Sequence, residues 1–285
     1  MKEFTRVRTA DRAPDRTSRA LNGAIGRLDT IQALAVVLAL GLTAFLAMPT
    51  YNWLLLLLSG GAALATHHVV WSHPKAQFQR LDDTALFLFV PVLLTLGLGL
   101  FLDEVAGGPW TIAAGIFSVV PLWFVLRAEY ESVDRRSRTY KFLSFAMDGY
   151  EFWRGVLNGA TYVTALLFFA TIYDFDLSLL TASFAVGVVS LLLAIEVLRE
   201  EAMDTSRTIL YALAIGLLLA EAAWSTHFLP LKGMADAVFL LLALYLMTGM
   251  MHNYLAARLS LRTASEFTAV ALIGVLGVAI SQSYV

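Results

Sequence analysis

IQALAVVLALGLTAFLAMPTYNWLLLLLSGGAALATHHVVW, residues 31–71, contains no Asp, Glu, Lys or Arg. Its two halves, 31–48 and 51–71, meet at Pro49-Thr50. At a rise of about 1.5 Å per residue, each half crosses most of a hydrocarbon core of about 30 Å. Two apolar helices joined by so short a connection must lie side by side as an antiparallel hairpin. Lipid is the solvent that suits them, because a helix bonds its own amides and leaves only apolar side chains outside.

The rest of the chain repeats this pattern. Further apolar runs fall at 84–102, 110–127, 156–173, 178–198, 208–228, 235–255 and 265–283. The expected fold is therefore all-α, a polytopic transmembrane bundle of about nine spans. Composition agrees: 59% of the 285 residues are hydrophobic and 15% are charged. A soluble chain carries about 25% charged residues to wet its surface. A polar segment, 1–30, precedes the first span and reads as a cytoplasmic tail. Spans one to four occupy 31–127, a cytoplasmic loop 128–155, and spans five to nine 156–285. No cleavable leader is expected, since the first apolar run follows about thirty polar residues.

Basic residues orient the bundle. With the N-terminus inside, every Lys and Arg except Lys232 falls in the leader or a cytoplasmic connection. Such an excess marks the cytoplasmic side. The C-terminus then faces outward, and the expected location is the inner, cytoplasmic membrane. Trp53, Trp71, Trp110 and Trp153 fall at span ends, where indole favours the headgroup layer. Trp123 and Trp224 lie deeper and are expected between helices. In the long loop, Tyr140 to Trp153 mixes aromatic and charged residues and resembles an interfacial helix. Asp82-Asp83-Thr84 reads as the N-terminal cap of span three. Pro91 and Pro121 are expected to kink their spans.

An ionisable group inside a span is the first functional lead in a membrane protein. Glu221 is the one acidic residue well inside a span, and it is expected to project into the bundle. Trp224 and Ser225, three and four residues on, share its face. Three roles are open: a protonated carboxyl bonded to a neighbouring helix, a proton relay or cation ligand, or a catalytic acid or base. A second candidate set gathers at the cytoplasmic ends of the spans: His68, Glu196, Glu200 and His252. Histidine and carboxylate together bind divalent metals. Glu196 and Glu200 share a helix face, but no H-E-x-x-H string occurs, and polar side chains marking the membrane boundary are the simpler account of them.

Other chemistry is missing from the chain. There is no cysteine, P-loop, G-x-G-x-x-G or G-x-S-x-G. No cofactor is implied. The formal charge of −2 gives no general basic field for nucleic acid.

The stretch Glu221-Ala-Ala-Trp224-Ser-Thr-His-Phe-Leu-Pro230, with Gly233 and the Leu/Tyr-rich run through Tyr245, resembles a region of uncharacterised bacterial polytopic membrane proteins. The similarity covers roughly residues 209–255. It implies a membrane bundle and draws interest to Glu221, Trp224 and Pro230, but carries no activity.

Three functions follow as expectations. The first is a non-enzymatic membrane component or scaffold, touching lipid and a membrane-protein partner or another copy. The second is a small proton- or cation-coupled transporter using Glu221. The third is a membrane enzyme acting on lipid or isoprenoid at the cytoplasmic face. The absence of any catalytic string points away from an enzyme.

Overall fold

The computed structural model describes residues 16–48, 52–74, 82–105, 110–133, 149–175, 177–199, 205–229, 234–256 and 259–283. These form helices α1 (Arg16–Ala47), α2 (Asn52–Trp71), α3 (Asp82–Ala85), α4 (Phe89–Val105), α5 (Trp110–Phe117), α6 (Val119–Ser132), α7 (Gly149–Asp174), α8 (Leu179–Leu198), α9 (Thr205–Thr226), α10 (Met234–Leu255) and α11 (Leu261–Ser283). Seven of the described spans are long and apolar enough to cross a membrane. The molecule is an all-helical, multi-span membrane bundle.

Several boundaries differ from the sequence reading, each for a physical reason. α1 begins at Arg16, so the second half of the polar leader continues the helix of the first span. Asp82-Asp83-Thr84 does not cap the third span. It belongs to the single turn α3, and α4 starts at Phe89. Pro91 consequently sits in the first turn of α4, where its missing N–H costs nothing, and it does not kink the middle. Pro121 does act as expected. It cannot donate to the carbonyl of Phe117, and the helix breaks there into α5 and α6. Ser118 at the break donates its hydroxyl to the Gly115 carbonyl at 2.5 Å. Gly149 to Trp153 forms the start of the spanning helix α7. The remainder of the expected interfacial helix, 140–148, lies outside the described residues.

Close helix approach is built from glycine. The α8–α9 pair is the most extensive contact in the bundle. A Cβ on Gly216 would stand 2.8 Å from the Gly187 carbonyl oxygen, and one on Gly187 would stand 3.0 Å from the Ala220 methyl. Small residues on both helices let the backbones meet, which is how helices associate where lipid offers no hydrophobic drive. Gly115 meets the Thr43 backbone on α1 in the same way, at 2.8 Å. The expected α1–α2 hairpin is present, with Gly41 facing Leu58 and Gly61 facing Leu38.

Several buried threonine hydroxyls are satisfied within their own helices. Thr66, Thr95, Thr161 and Thr248 donate to the carbonyl four residues earlier, at 2.8, 2.8, 2.9 and 2.6 Å. This keeps polar atoms bonded in an apolar interior. α11 stands apart from the rest: among the described elements it packs substantially against α10 alone.

Candidate functional site

The apolar phase of α6 carries one charged residue into the interior. Leu122, Val125 and Leu126 are buried. Glu129 follows three residues after Leu126 and four after Val125, so the same face presents its carboxylate inward. Glu129 is 0% exposed. On α8, Glu196 continues the buried face of Leu193 and is 2% exposed. An isolated carboxylate in such surroundings carries a large desolvation cost.

Arg199, immediately after α8, meets both. Its Nη2 lies 2.7 Å from Glu129 Oε2 and 2.6 Å from Glu196 Oε1. Its Nη1 donates to the Leu86 carbonyl oxygen at 2.7 Å, and the guanidinium lies 4.3 Å from the Phe87 ring centroid. Ser132 donates weakly to Glu129 Oε2, at 3.4 Å. The planar fork of arginine suits this arrangement, since it can serve two carboxylates and a carbonyl while stacking on a ring. The ion cluster ties the end of α6 to the end of α8 and to the turn between α3 and α4. Around it, His67 Nδ1 lies 3.0 Å from Thr84 Oγ1, and His73 packs edge-on against Tyr130 at 4.6 Å.

The three described candidates of the second set, His68, Glu196 and His252, do not share one site. Glu196 is in the arginine cluster. His68 lines a cleft of about 90 Å³ with Thr30, Ile31, Val69, Ser72 and Tyr130. Its neighbour His67, not His68, makes the ring contact with Trp71, at 5.5 Å. His252 is on α10 and faces α7, where Arg154 Nη2 lies 3.0 Å from its Nε2. Arginine can only donate, so that imidazole nitrogen accepts. Glu200 lies outside the described residues. Among the described residues no group of three His, Cys, Asp or Glu has metal-holding proximity.

Glu221 overturns the expected inward orientation. It is exposed on α9, in a stripe with Leu213, Leu217, Leu218 and Trp224. Ala212, Ile215, Leu219 and Ala223 form the packed face instead. Trp224, 44% exposed, likewise faces outward and is not held between helices. Small residues Gly216, Ala220 and Ala223 decide this phase. They turn inward because α8 lies so close, which leaves the carboxylate outside. Trp123 packs between helices as expected, with ring centroids 5.0 Å from Phe124 and 6.1 Å from Trp153.

At the opposite end of the bundle, Glu104, Asp174, Thr171 and Met234 help line a cleft of about 150 Å³. Glu104 lies past the apolar stretch of α4. The nearby Asp174 carboxylate holds its pKa above the ordinary glutamate range, with smaller upward contributions from desolvation, a hydrogen bond to Asp174, and Asp103.

Sequence reasoning missed Glu129 and Arg199, which it had assigned to a charged loop and a flanking position. The signal that finds Glu129 is its helical phase with Leu122, Val125 and Leu126. The Glu196-x-x-Arg199 spacing gives two of the three members of the cluster; the third, Glu129, is set by packing.

No curated protein and no solved structure matched the chain. The profile of a family described as "Protein of unknown function (DUF5656)" matches residues 31–281, well beyond the 209–255 stretch that carried the resemblance. A match over nearly all the spans and their connections shows that the chain belongs to this uncharacterised family.

Proposed function

We propose that this protein is a non-enzymatic component of a membrane assembly, associating laterally through the outward face of α9. The observation that carries this reading is the position of Glu221. It lies five residues before the end of α9, roughly 7.5 Å along the axis. It points away from the bundle among exposed leucines. A carboxylate facing acyl chains is costly, and a polar or basic group on a neighbouring transmembrane helix removes that cost. A coupled carrier through Glu221 would need it to face an internal path, whereas it faces outward. The buried charges at Glu129, Glu196 and Arg199 are engaged with each other across helices, which suits a rigid body better than a reacting centre.

The same reading places nine spans in the cytoplasmic membrane, counting α4 and α11 with the seven segments that are long and apolar enough to cross it. The N-terminus is inside and the C-terminus outside. Support comes from the distribution of Lys and Arg, which clusters at one end of the helices.

The test is mild detergent extraction from native membranes, with sizing and mass analysis of what stays bound. Wild type should elute with a stoichiometric membrane partner or a second copy. Glu221→Leu should release it while the bundle keeps its thermal stability. Solute uptake into proteoliposomes abolished by Glu221→Gln would overturn the proposal in favour of transport. A lone monomer from native membranes, unchanged by Glu221→Leu, would also sink it.

A further inference from the structure

The outward stripe of α9 has the spacing of a helix–helix seam. Leu210, Ala214, Leu217, Glu221 and Trp224 recur at alternating intervals of four and three residues, and all of them are exposed. That repeat keeps one line of side chains facing a single neighbouring helix along its length. Among the described elements α9 packs substantially against α8 and α10 alone, which leaves this stripe uncovered.

Two marks on α9 set the depth of Glu221. It lies five residues before the end of the helix at Thr226, roughly 7.5 Å along the axis. From Arg207, near the other end, it lies fourteen residues away. That is about 21 Å into a hydrocarbon layer of about 30 Å. Both place its Cα short of the outer boundary. Helical side chains lean toward the N-terminus of their helix. In the orientation proposed above that is the cytoplasmic end, so the carboxylate leans deeper and away from the nearer water. Ser225 donates to the Glu221 backbone carbonyl at 2.9 Å, but among the described residues no hydrogen bond or ion pair reaches the carboxylate.

A second copy of this chain supplies no cation at that depth. The apolar runs from 31–48 to 265–283 contain no Lys, and their one Arg, Arg127, ends the fourth run on the cytoplasmic side. A twofold pair through the seam sets each residue against its own mate, so Glu221 would meet Glu221. The complementary occupant is a helix with a positive charge. Lys and Arg suit it, because their long stems stay in the apolar seam while the head reaches the carboxylate. One charged pair in an otherwise apolar seam also fixes depth and partner.

We infer, resting on the lateral association proposed above, that the α9 seam takes a transmembrane helix of a different protein, one that carries a Lys or Arg in its outer half to meet Glu221.

The experiment reconstitutes the full chain in liposomes with synthetic transmembrane helices of Leu and Ala. Each carries Lys, Leu or Glu at one position roughly 7.5 Å from one end. The chain has no cysteine, so a donor dye on Ser206→Cys, an exposed position at the far end of α9, reports energy transfer to an acceptor on the peptide. Wild type should bind the Lys helix about tenfold more tightly than the Leu helix. Glu221→Gln should remove that preference, and Glu221→Lys should transfer it to the Glu helix. Glu221 is exposed, so neither change disturbs the packed bundle. Lys232→Gln should leave the preference unchanged, as should Glu266→Gln at an exposed carboxylate on α11. Equal binding of the Lys and Leu helices, or binding of none of the three, overturns the inference. So does energy transfer between donor- and acceptor-labelled copies of the chain that Glu221→Leu abolishes: a second copy would then be the occupant, and lateral association through α9 would stand. Failure of the association itself is read separately, as a lone monomer from native membranes indifferent to Glu221→Leu.

Discussion

Replacing Arg199 by Met removes the guanidinium that, among the described residues, meets both Glu129 and Glu196. The two carboxylate side chains are 0% and 1% exposed, and the arginine side chain 10%. Taking one partner from a buried ion pair costs about 3–5 kcal/mol, because the other charge stays buried with that partner gone. For a chain of this size that corresponds to a fall on the order of 10 °C in melting temperature. The contrast is Arg262–Glu266, whose side chains are 89% and 62% exposed. Such a pair contributes about 0–1 kcal/mol, so Arg262→Ala should scarcely move the melt. The assay is intrinsic tryptophan fluorescence during heating in detergent. Arg199→Lys should fall between wild type and Arg199→Met, since it keeps the charge but loses the fork and the ring stacking. Adding Glu129→Gln and Glu196→Gln to Arg199→Met should restore part of the loss, because neutral amides need no cation. If Arg199→Met melts within about 1 °C of wild type, or the triple variant melts no higher than the single one, the cluster is not the clamp described.

Gly216→Val should destabilise the bundle by about 1–3 kcal/mol, since its Cβ would overlap the Gly187 carbonyl and force α8 from α9; thermal melting against Gly60→Val, at an open position, measures it. Glu104 has a raised folded-state pKa, so the folded state holds a proton that the unfolded chain has lost just above the ordinary glutamate range. Stability should therefore be higher at the acid side of that window and decline as pH rises through the folded pKa. Glu104→Gln should flatten this part of the melting-versus-pH curve. The chain has no cysteine, so single cysteines at Arg136 and Lys232 report sidedness without background. A membrane-impermeant maleimide on intact cells should label Lys232→Cys and spare Arg136→Cys; the reverse pattern would invert the topology.

Much of the architecture was legible before folding because a span is a local property. Runs such as 31–48 or 178–198 need only length and the absence of charge to enter lipid, and no distant residue alters that. The Pro121 break and the α1–α2 hairpin were readable for the same reason. What the amino-acid order left open was rotation. Glu221 lies in a stretch apolar on all sides, so hydropathy gave no face to prefer. The close fit of Gly216 and Ala220 against Gly187 turned the small residues inward and the carboxylate outward. Likewise, Glu129 and Arg199 are 70 residues apart, each unremarkable at the end of its own helix. Only the packing of α6 beside α8 at the α3–α4 turn set one guanidinium against two carboxylates. Lipid immersion follows from side-chain polarity alone; which side of each helix meets lipid follows from the interlocking of small residues between neighbours, and that exists only once the helices are together.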